Sequence, residues 1–289
     1  MDCFLKKYCT KHNIVLQRGH NLYILLTLAW NRVLMMKLRM YKWIHGLKKT
    51  IVHYYAVCWN EEKMLPFVFD YYGKFVDKFV IYDNGSTDRT MEIVNSQPNA
   101  ELIHFETEGF DDAIHAKIKN SCWKHSRGKA DFVIVCDVDE FLYHEKLEEK
   151  LMELHKARIS LPDTEGFNMY CSEFPLEGLP ITQQVKTGIA DGAYNKSILF
   201  DPYRIVEINY TPGAHHANPI GIVKRSHESL KVLHYKNLGL ENVIERYHVL
   251  ANRLSENNIS EDLGTHYLYS DTKIASDFNE NIEHCKIVI

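Results

Sequence analysis

From residue 51 onward, the apolar positions of the chain alternate between two periods. Residues 51–58, IVHYYAVC, form a β-rich run, and residues 61–75 switch to helical spacing, with Pro66 tolerable in the first turn. A short apolar strand is predicted at 78–82, followed by the turn Asp83-Asn84-Gly85-Ser86. A helix over 87–96 follows, which Ser86, Thr87 or Asp88 can cap. A third strand is predicted at 101–105, then a helix at 111–126 whose first turn holds two aspartates, the sign that suits the helix dipole. Residues 131–136, DFVIVC, are the most apolar strand, and they end at Asp137. Four strands alternating with three helices predict an α/β fold around a largely parallel sheet.

Beyond a mixed acidic and basic helix at 145–158 the pattern changes. Six of the eight prolines fall from Pro162 onward, among strand-like runs at 166–171, 196–200, 204–209 and 230–235. This half is expected to extend the sheet. A helix is predicted over 240–256, with Val243, Ile244, Tyr247, Leu250, Ala251 and Leu254 on one face. The last 25 or so residues carry no clear pattern. The expected organisation is a basic N-terminal extension at 1–50, a single main domain at 51–260 and a tail at 261–289. The domain divides into two halves, 51–145 and 160–260.

Ligands of parallel α/β sheets bind beyond the carboxyl ends of the strands. That rule collects polar residues from separate stretches: Asn60 and Glu61 after the first strand, Asp83 and Asn84 after the second, Asp137 and Asp139 after the fourth.

Composition narrows the classes. The 289 residues are 45% hydrophobic and 25% charged, as in ordinary globular proteins, and their net charge is −4. The charge is uneven: residues 1–50 hold ten Lys or Arg and one acid, Asp2, a net +9, which leaves −13 for the rest. A basic arm suits an anionic surface such as a phospholipid layer, and the acidic body argues against nucleic acid. Residues 22–47 suit a basic, aromatic-rich helix that lies on a membrane or packs on the body. The apolar stretch 22–30 is too short to span a bilayer and lacks the flanks of a signal peptide. Seven cysteines without a close CxxC pair argue for a reducing compartment and against disulfides or zinc. A cytoplasmic protein, placed at the inner face of a membrane by its basic arm, is the corresponding expectation.

The chemistry centres on Asp137-Val138-Asp139. In an extended chain, residues i and i+2 point the same way, so both aspartates can face one divalent cation, or one can bind it while the other holds a ribose hydroxyl. Hard oxygen ligands suit Mg²⁺ or Mn²⁺, which can bridge a diphosphate. In the second motif Gly85 permits a tight turn, Asp83 can meet a base edge, and Asp88 can cap the helix or hold the loop.

The segments Cys58-Trp59-Asn60-Glu61-Glu62, FVIYDNGSTDRT (79–90), DFVIVCDVDEFLY (131–143) and LKVLHYKNLGLENVIERY (230–247) resemble glycosyltransferase family 2-like proteins of the GT-A fold, over about residues 51–250. The resemblance implies a GT-A nucleotide-binding sheet with helices on both faces, with 51–145 as the nucleotide-binding half and 160–260 as the acceptor-side half that builds an acceptor-facing surface. It implies a metal-dependent, inverting hexosyl transfer from a nucleotide-sugar, usually UDP-linked, to a glycan or lipid-linked saccharide, as in polysaccharide biosynthesis. Asn60, Glu61, Asp83, Asp88 and Asp137 would then bind the nucleotide-sugar, with Asp83 at the base. Asp137 and Asp139 would handle ribose and metal, Asp139 being the principal ligand.

GT-A enzymes often complete the metal shell with a late histidine. His234 is the first choice and His216 the alternative; His215 and His216 could instead meet the acceptor. Lys196 and Lys236 are candidates for phosphate contact or plain solvated lysines. The family's acidic pair for the catalytic base is not evident, so Asp191, Glu173 and Glu207 stand as equal candidates. Two other classes remain open: a nucleotidyltransferase, for which CWNEE lacks the basic Gly-rich loop, and a binding module without turnover.

Overall fold

A computed structural model describes residues 14–15 and 20–289. Residues 1–13 and 16–19 of the basic extension, with Cys3 and Cys9, lie outside the described residues.

The chain begins with strand β1 (Ile14–Val15) and the long helix α1 (Asn21–Ile44). There follow β2 (Val52–Cys58), α2 (Leu65–Tyr72), β3 (Lys78–Asp83), α3 (Thr90–Asn95), β4 (Ala100–His104), α4 (Asp112–Lys119) and β5 (Phe132–Asp137). Next come β6 (Glu140–Tyr143), α5 (Leu147–Lys156), β7 (Thr164–Cys171), α6 (Ile181–Gln184), β8 (Thr187–Ala190), β9 (Leu199–Phe200), β10 (Ile205–Glu207) and β11 (Ile220–Ile222). The chain closes with β12 (Leu230–Leu238), α7 (Leu240–Ala251), α8 (Glu256–Ser260), α9 (Asp271–His284) and β13 (Lys286–Ile287).

The first sheet has the order β4-β3-β2-β5-β9, and its first four strands are parallel, as the alternating pattern predicts. All of β2 is buried. Its side chains alternate between two cores: Val52, Tyr54, Ala56 and Cys58 face the one that α2 covers, and Tyr55 faces the one beside Trp123. Register sets Cys58 beside Asp83 and Val57 beside Asp137, so the polar strand ends share one edge.

The second half departs from expectation. Only β9 joins the first sheet; the other runs build a separate sheet, β13-β8-β7-β12-β6, and a small antiparallel one, β1-β11-β10. Strand β12 lies at the heart of the second sheet, parallel to β7 and antiparallel to β6. Because β5 ends one sheet at Asp137 and β6 opens the other at Glu140, the turn carrying Asp137 and Asp139 is the seam between them.

Several predicted helices are shorter than expected, and side chains explain why. Helix α2 starts at Leu65, not 61, because Glu61 N–H is bonded by Thr90 and Glu62 N–H by Asp88. Helix α3 starts at Thr90, not 87, because Asn60 and Glu62 hold the Thr87 and Arg89 N–H groups. The helix expected at 111–126 breaks after Lys119, where Asn120 exchanges two bonds with the Tyr210 backbone, and resumes as a 3-10 helix, Cys122–Ser126. The helix expected over 240–256 ends at Ala251. The tail is also more ordered than its pattern suggested, since α9 buries Ile274 and Phe278 against Tyr170 and Val243.

Candidate active site

A cleft of about 240 Å³ opens at the shared edge of the strand ends. Its floor is Cys58, Trp59, Glu61, Asn84, Asp137 and Asp139. One wall comes from α4 through Asp112, His115 and Lys119, and another from the second half through Lys196, His215, His234 and Lys236. The roof is the C-terminal segment with Arg246, Arg253, His266 and Tyr267. It is sewn on by backbone bonds between Phe110 and both Arg253 and Ser255. Gly109 allows this approach: a Cβ there would lie 2.4 Å from the Arg253 carbonyl oxygen.

Asp139 and His234 meet because β12 pairs antiparallel with β6, setting His234 opposite Glu140, while Tyr235 N–H donates to the Asp139 carbonyl at 2.8 Å. His234 Nε2 lies 3.4 Å from Asp139 Oδ2. Its Nδ1 contacts Asn168 Oδ1 at 2.8 Å, and Asn168 Nδ2 donates to Asp191 Oδ2 at 2.8 Å. A carboxylate only accepts, so the Asn168 amide group must face Asp191 and its oxygen must accept from His234. The network therefore places a proton on Nδ1, and in the neutral ring it leaves the Nε2 lone pair facing Asp139. Tyr194 stacks on the imidazole with ring centroids 4.1 Å apart. Burial alone would raise the Asp139 carboxyl, but the His234 ring in its doubly protonated form, with Arg246 and Lys196, holds it well below the usual range.

Asp137 is held differently. Lys119 Nζ lies 2.5 Å from Oδ1 and Lys196 Nζ 3.7 Å from Oδ2. Burial opposes ionisation here as well, and the two lysines outweigh it, so the carboxyl sits below its ordinary value. Lys196 is only 3% exposed and also pairs with Glu140, itself 1% exposed, at 2.5 Å. Opposing burial, these carboxylates raise the Lys196 ammonium above its normal value. Arg246 pairs with Glu61 at 2.6 Å. Burial pushes Lys236 down to about 8, with Asp139 pulling the other way. Lys119, Lys196 and Arg246 thus line the cleft with carboxylates as present partners, while Lys236 contacts His266 and Arg253 lies over the Trp59 ring, a set of cations able to exchange onto phosphate oxygens.

Among the described residues no group of three or more His, Cys, Asp or Glu is placed to hold a metal. The chain offers two facing donors, Asp139 and His234, and a shell completed by substrate phosphates and water suits Mn²⁺ or Mg²⁺. A hydrogen bond donated by the other ring nitrogen to a fixed acceptor, here His234 Nδ1–H to Asn168 Oδ1, is the usual support of a ligating histidine. The donor set fits a divalent cation, while Asp137 is committed to lysines.

The other anticipated residues sort into three groups. Asn60, at φ 51, and Asp88 are staples of the two loops: Asn60 accepts the Thr87 N–H, and Asp88 accepts those of Glu62 and Thr90. Asp83 is 0% exposed and accepts the Ser86 N–H beneath the cleft rather than lining it. Glu173, Asp191, Glu207 and His216 do not line it either. Asp191 caps the 3-10 turn at Ala193 and holds Asn168, and Glu207 pairs with Lys124. His215 does line it; its Nδ1 bonds the Ala193 carbonyl, which leaves Nε2 free to accept a proton.

Sequence reasoning overlooked Glu140, Lys119, Arg246, Asn168 and Tyr194. Two left a signal. Arg246 stands on the same helical face as Val243 and Leu250, and Lys119 shares its face with His115 and Ala116, where a charge needs a buried partner.

Residues 56–186 match Glycosyl transferase family 2. Among solved structures, S. aureus TarS is similar at 15% identity and a TM-score of 0.38, over 80% of this chain and 43% of that one. TarS 1-349 gives 14% and 0.36, over 72% and 68%. Glucosyl-3-phosphoglycerate synthase from Mycobacterium tuberculosis, in complex with Mn²⁺, uridine diphosphate and glucosyl-3-phosphoglycerate, gives 17% and 0.29, over 41% and 44%. No curated protein matches the chain. The chain spans less than half of the full TarS structure it matches.

Proposed function

We propose, from the match of residues 56–186 to Glycosyl transferase family 2, that the chain moves a hexosyl group from a nucleoside-diphosphate donor, UDP first among the candidates, to a glycan or lipid-linked saccharide hydroxyl. The observation that carries this is the seam turn: Asp139 faces a histidine whose tautomer suits a metal, inside a cleft rich in exchangeable cations.

Asp139 and His234 would hold the metal. Bound there, Mn²⁺ or Mg²⁺ would neutralise charge on the departing diphosphate. Lys119 and Lys196 release Asp137 in part and donate to phosphate oxygens, and Asp137 then accepts from a ribose hydroxyl. Asp83 fixes the turn under the base end of the cleft. His215 takes the acceptor proton at Nε2 as the acceptor oxygen bonds the anomeric carbon and the bond to the diphosphate oxygen breaks. Burial, with Lys196 second, lowers the pKa of His215 and so favours the neutral ring, whose Nε2 carries the lone pair.

The test is nucleotide release from a panel of nucleotide-sugars with Mn²⁺, with and without saccharide acceptors. Release of one nucleotide, lost in Asp139→Asn, is expected. Nucleotide binding without release under any condition would favour a binding module instead.

A further inference from the structure

Helix α1 has 24 residues and is about 36 Å long, yet no helix among the described residues is long and apolar enough to cross a membrane. One side of it is core: Ile24 and Leu28 pack on Val206 and Ile220, and Leu38 on Ile51, Ala130 and Tyr203. The opposite side carries Leu22, Leu26, Trp30, Val33, Met40 and Ile44, which are 48–70% exposed. At helical spacing these six fall within an arc of about 80°. Single exposed apolar residues need no explanation, but a stripe interrupted only by Lys37 does.

The charge carried by α1 and its flanking chain has one sign, and the nearby Glu207 is held by Tyr23 and Lys124. No Asp or Glu occurs between Asp2 and Glu61. Arg32, Lys37, Arg39 and Lys48 are exposed, while Lys42 and Lys49 are tied to Asp131 and Asp77. A groove beside the stripe repeats the combination, with Tyr23, Leu26 and Trp30 on one wall and Lys124, His125 and Lys129 on the other. Lys124 is paired with Glu207, whereas His125 and Lys129 are exposed.

We propose that this face of α1 docks the protein on an anionic phospholipid surface. The apolar stripe enters the headgroup boundary, the flanking Lys and Arg reach lipid phosphates, and the groove seats a headgroup. Both halves of the match are needed: a partner apolar beneath and anionic at its surface. A second copy of the chain would set two cationic faces against each other. Orientation agrees, because Leu38 packs beside Ile51 and Ala130, which precede β2 and β5, while the cleft lies at the far ends of those strands. Docking therefore leaves the cleft open. This proposal does not depend on the transfer chemistry, and its test uses no donor.

Full-length protein is sedimented with phosphatidylcholine vesicles, with and without phosphatidylglycerol. Binding to the anionic vesicles, weakened by salt and at least tenfold tighter than to the neutral ones, is expected. Trp30→Glu with Met40→Glu should abolish it, and Lys37→Glu with Arg39→Glu should weaken it by roughly 30-fold, at about fivefold per cation. Unchanged melting temperatures are expected, since all four side chains are exposed. Equal or absent binding to both vesicles would overturn the proposal. So would a concentration-dependent dimer that Trp30→Glu dissociates, which would assign the face to a second copy.

Discussion

Two sets of side chains at one sheet edge behave differently. In the paired loops after β2 and β3, Asn60 and Asp88 are satisfied by backbone N–H groups a short distance away. At the seam after β5, Asp137 and Asp139 are satisfied by Lys119, Lys196 and His234, side chains brought from α4 and the second half. A carboxylate bonded to backbone builds the loop it bonds. A carboxylate bonded to side-chain cations can trade them for a ligand. The motifs look alike in sequence, yet the first shapes the site and the second supplies its chemistry.

The largest effect should come from breaking the seam's buried charges. Lys196→Met leaves Glu140 buried and unpaired, at a cost of about 3–5 kcal/mol in urea unfolding, and adding Glu140→Gln should recover most of it. Recovery would show that the loss belongs to the stranded carboxylate; a double variant as unstable as the single would place it in packing instead. Next, Asn168→Ala frees the His234 tautomer and should weaken Mn²⁺ affinity by about 10–100-fold in calorimetry, with little change in melting temperature. Unaltered affinity would remove His234 from the metal shell. The smallest effect is expected in the loops: Asp88→Ala loses two backbone acceptor contacts and should cost about 1 kcal/mol of stability. Its KM should rise while kcat holds. A collapse of kcat would mean that Asp88 touches the reacting centre.

The same contrast explains what the sequence reveals. The parallel sheet was legible because 51–58 and 131–136 are β-rich, largely apolar runs followed by polar residues, and the crevice rule then collects Asn60, Asp83 and Asp137 at one edge. Periodicity could not show that Thr90 and Asp88 would take the N–H groups of Glu61 and Glu62 and delay the next helix. Nor could it show that β6 leaves the first sheet, because that depends on pairing with β12 some 90 residues away. His234 was legible as a late histidine after an apolar run. Asn168, which sets its tautomer, has no local signature, since its role exists only once β7 lies beside β12. The three acidic base candidates were chosen by residue type alone; the structure uses Asp191 and Glu207 as a cap and an ion-pair partner, and Glu173 lies outside the cleft lining.

The central claim is that Asp139 and a divalent cation together create the donor site. The most direct measurement is a thermal-shift titration with UDP, GDP, CDP and TDP, each with and without Mn²⁺, on the native protein and on Asp139→Asn. The account requires that one nucleotide stabilise the native protein only when Mn²⁺ is present, and that Asp139→Asn abolish the shift. A nucleotide shift of equal size without Mn²⁺, or one that Asp139→Asn retains, would contradict it and assign the diphosphate to the lysines of the cleft alone.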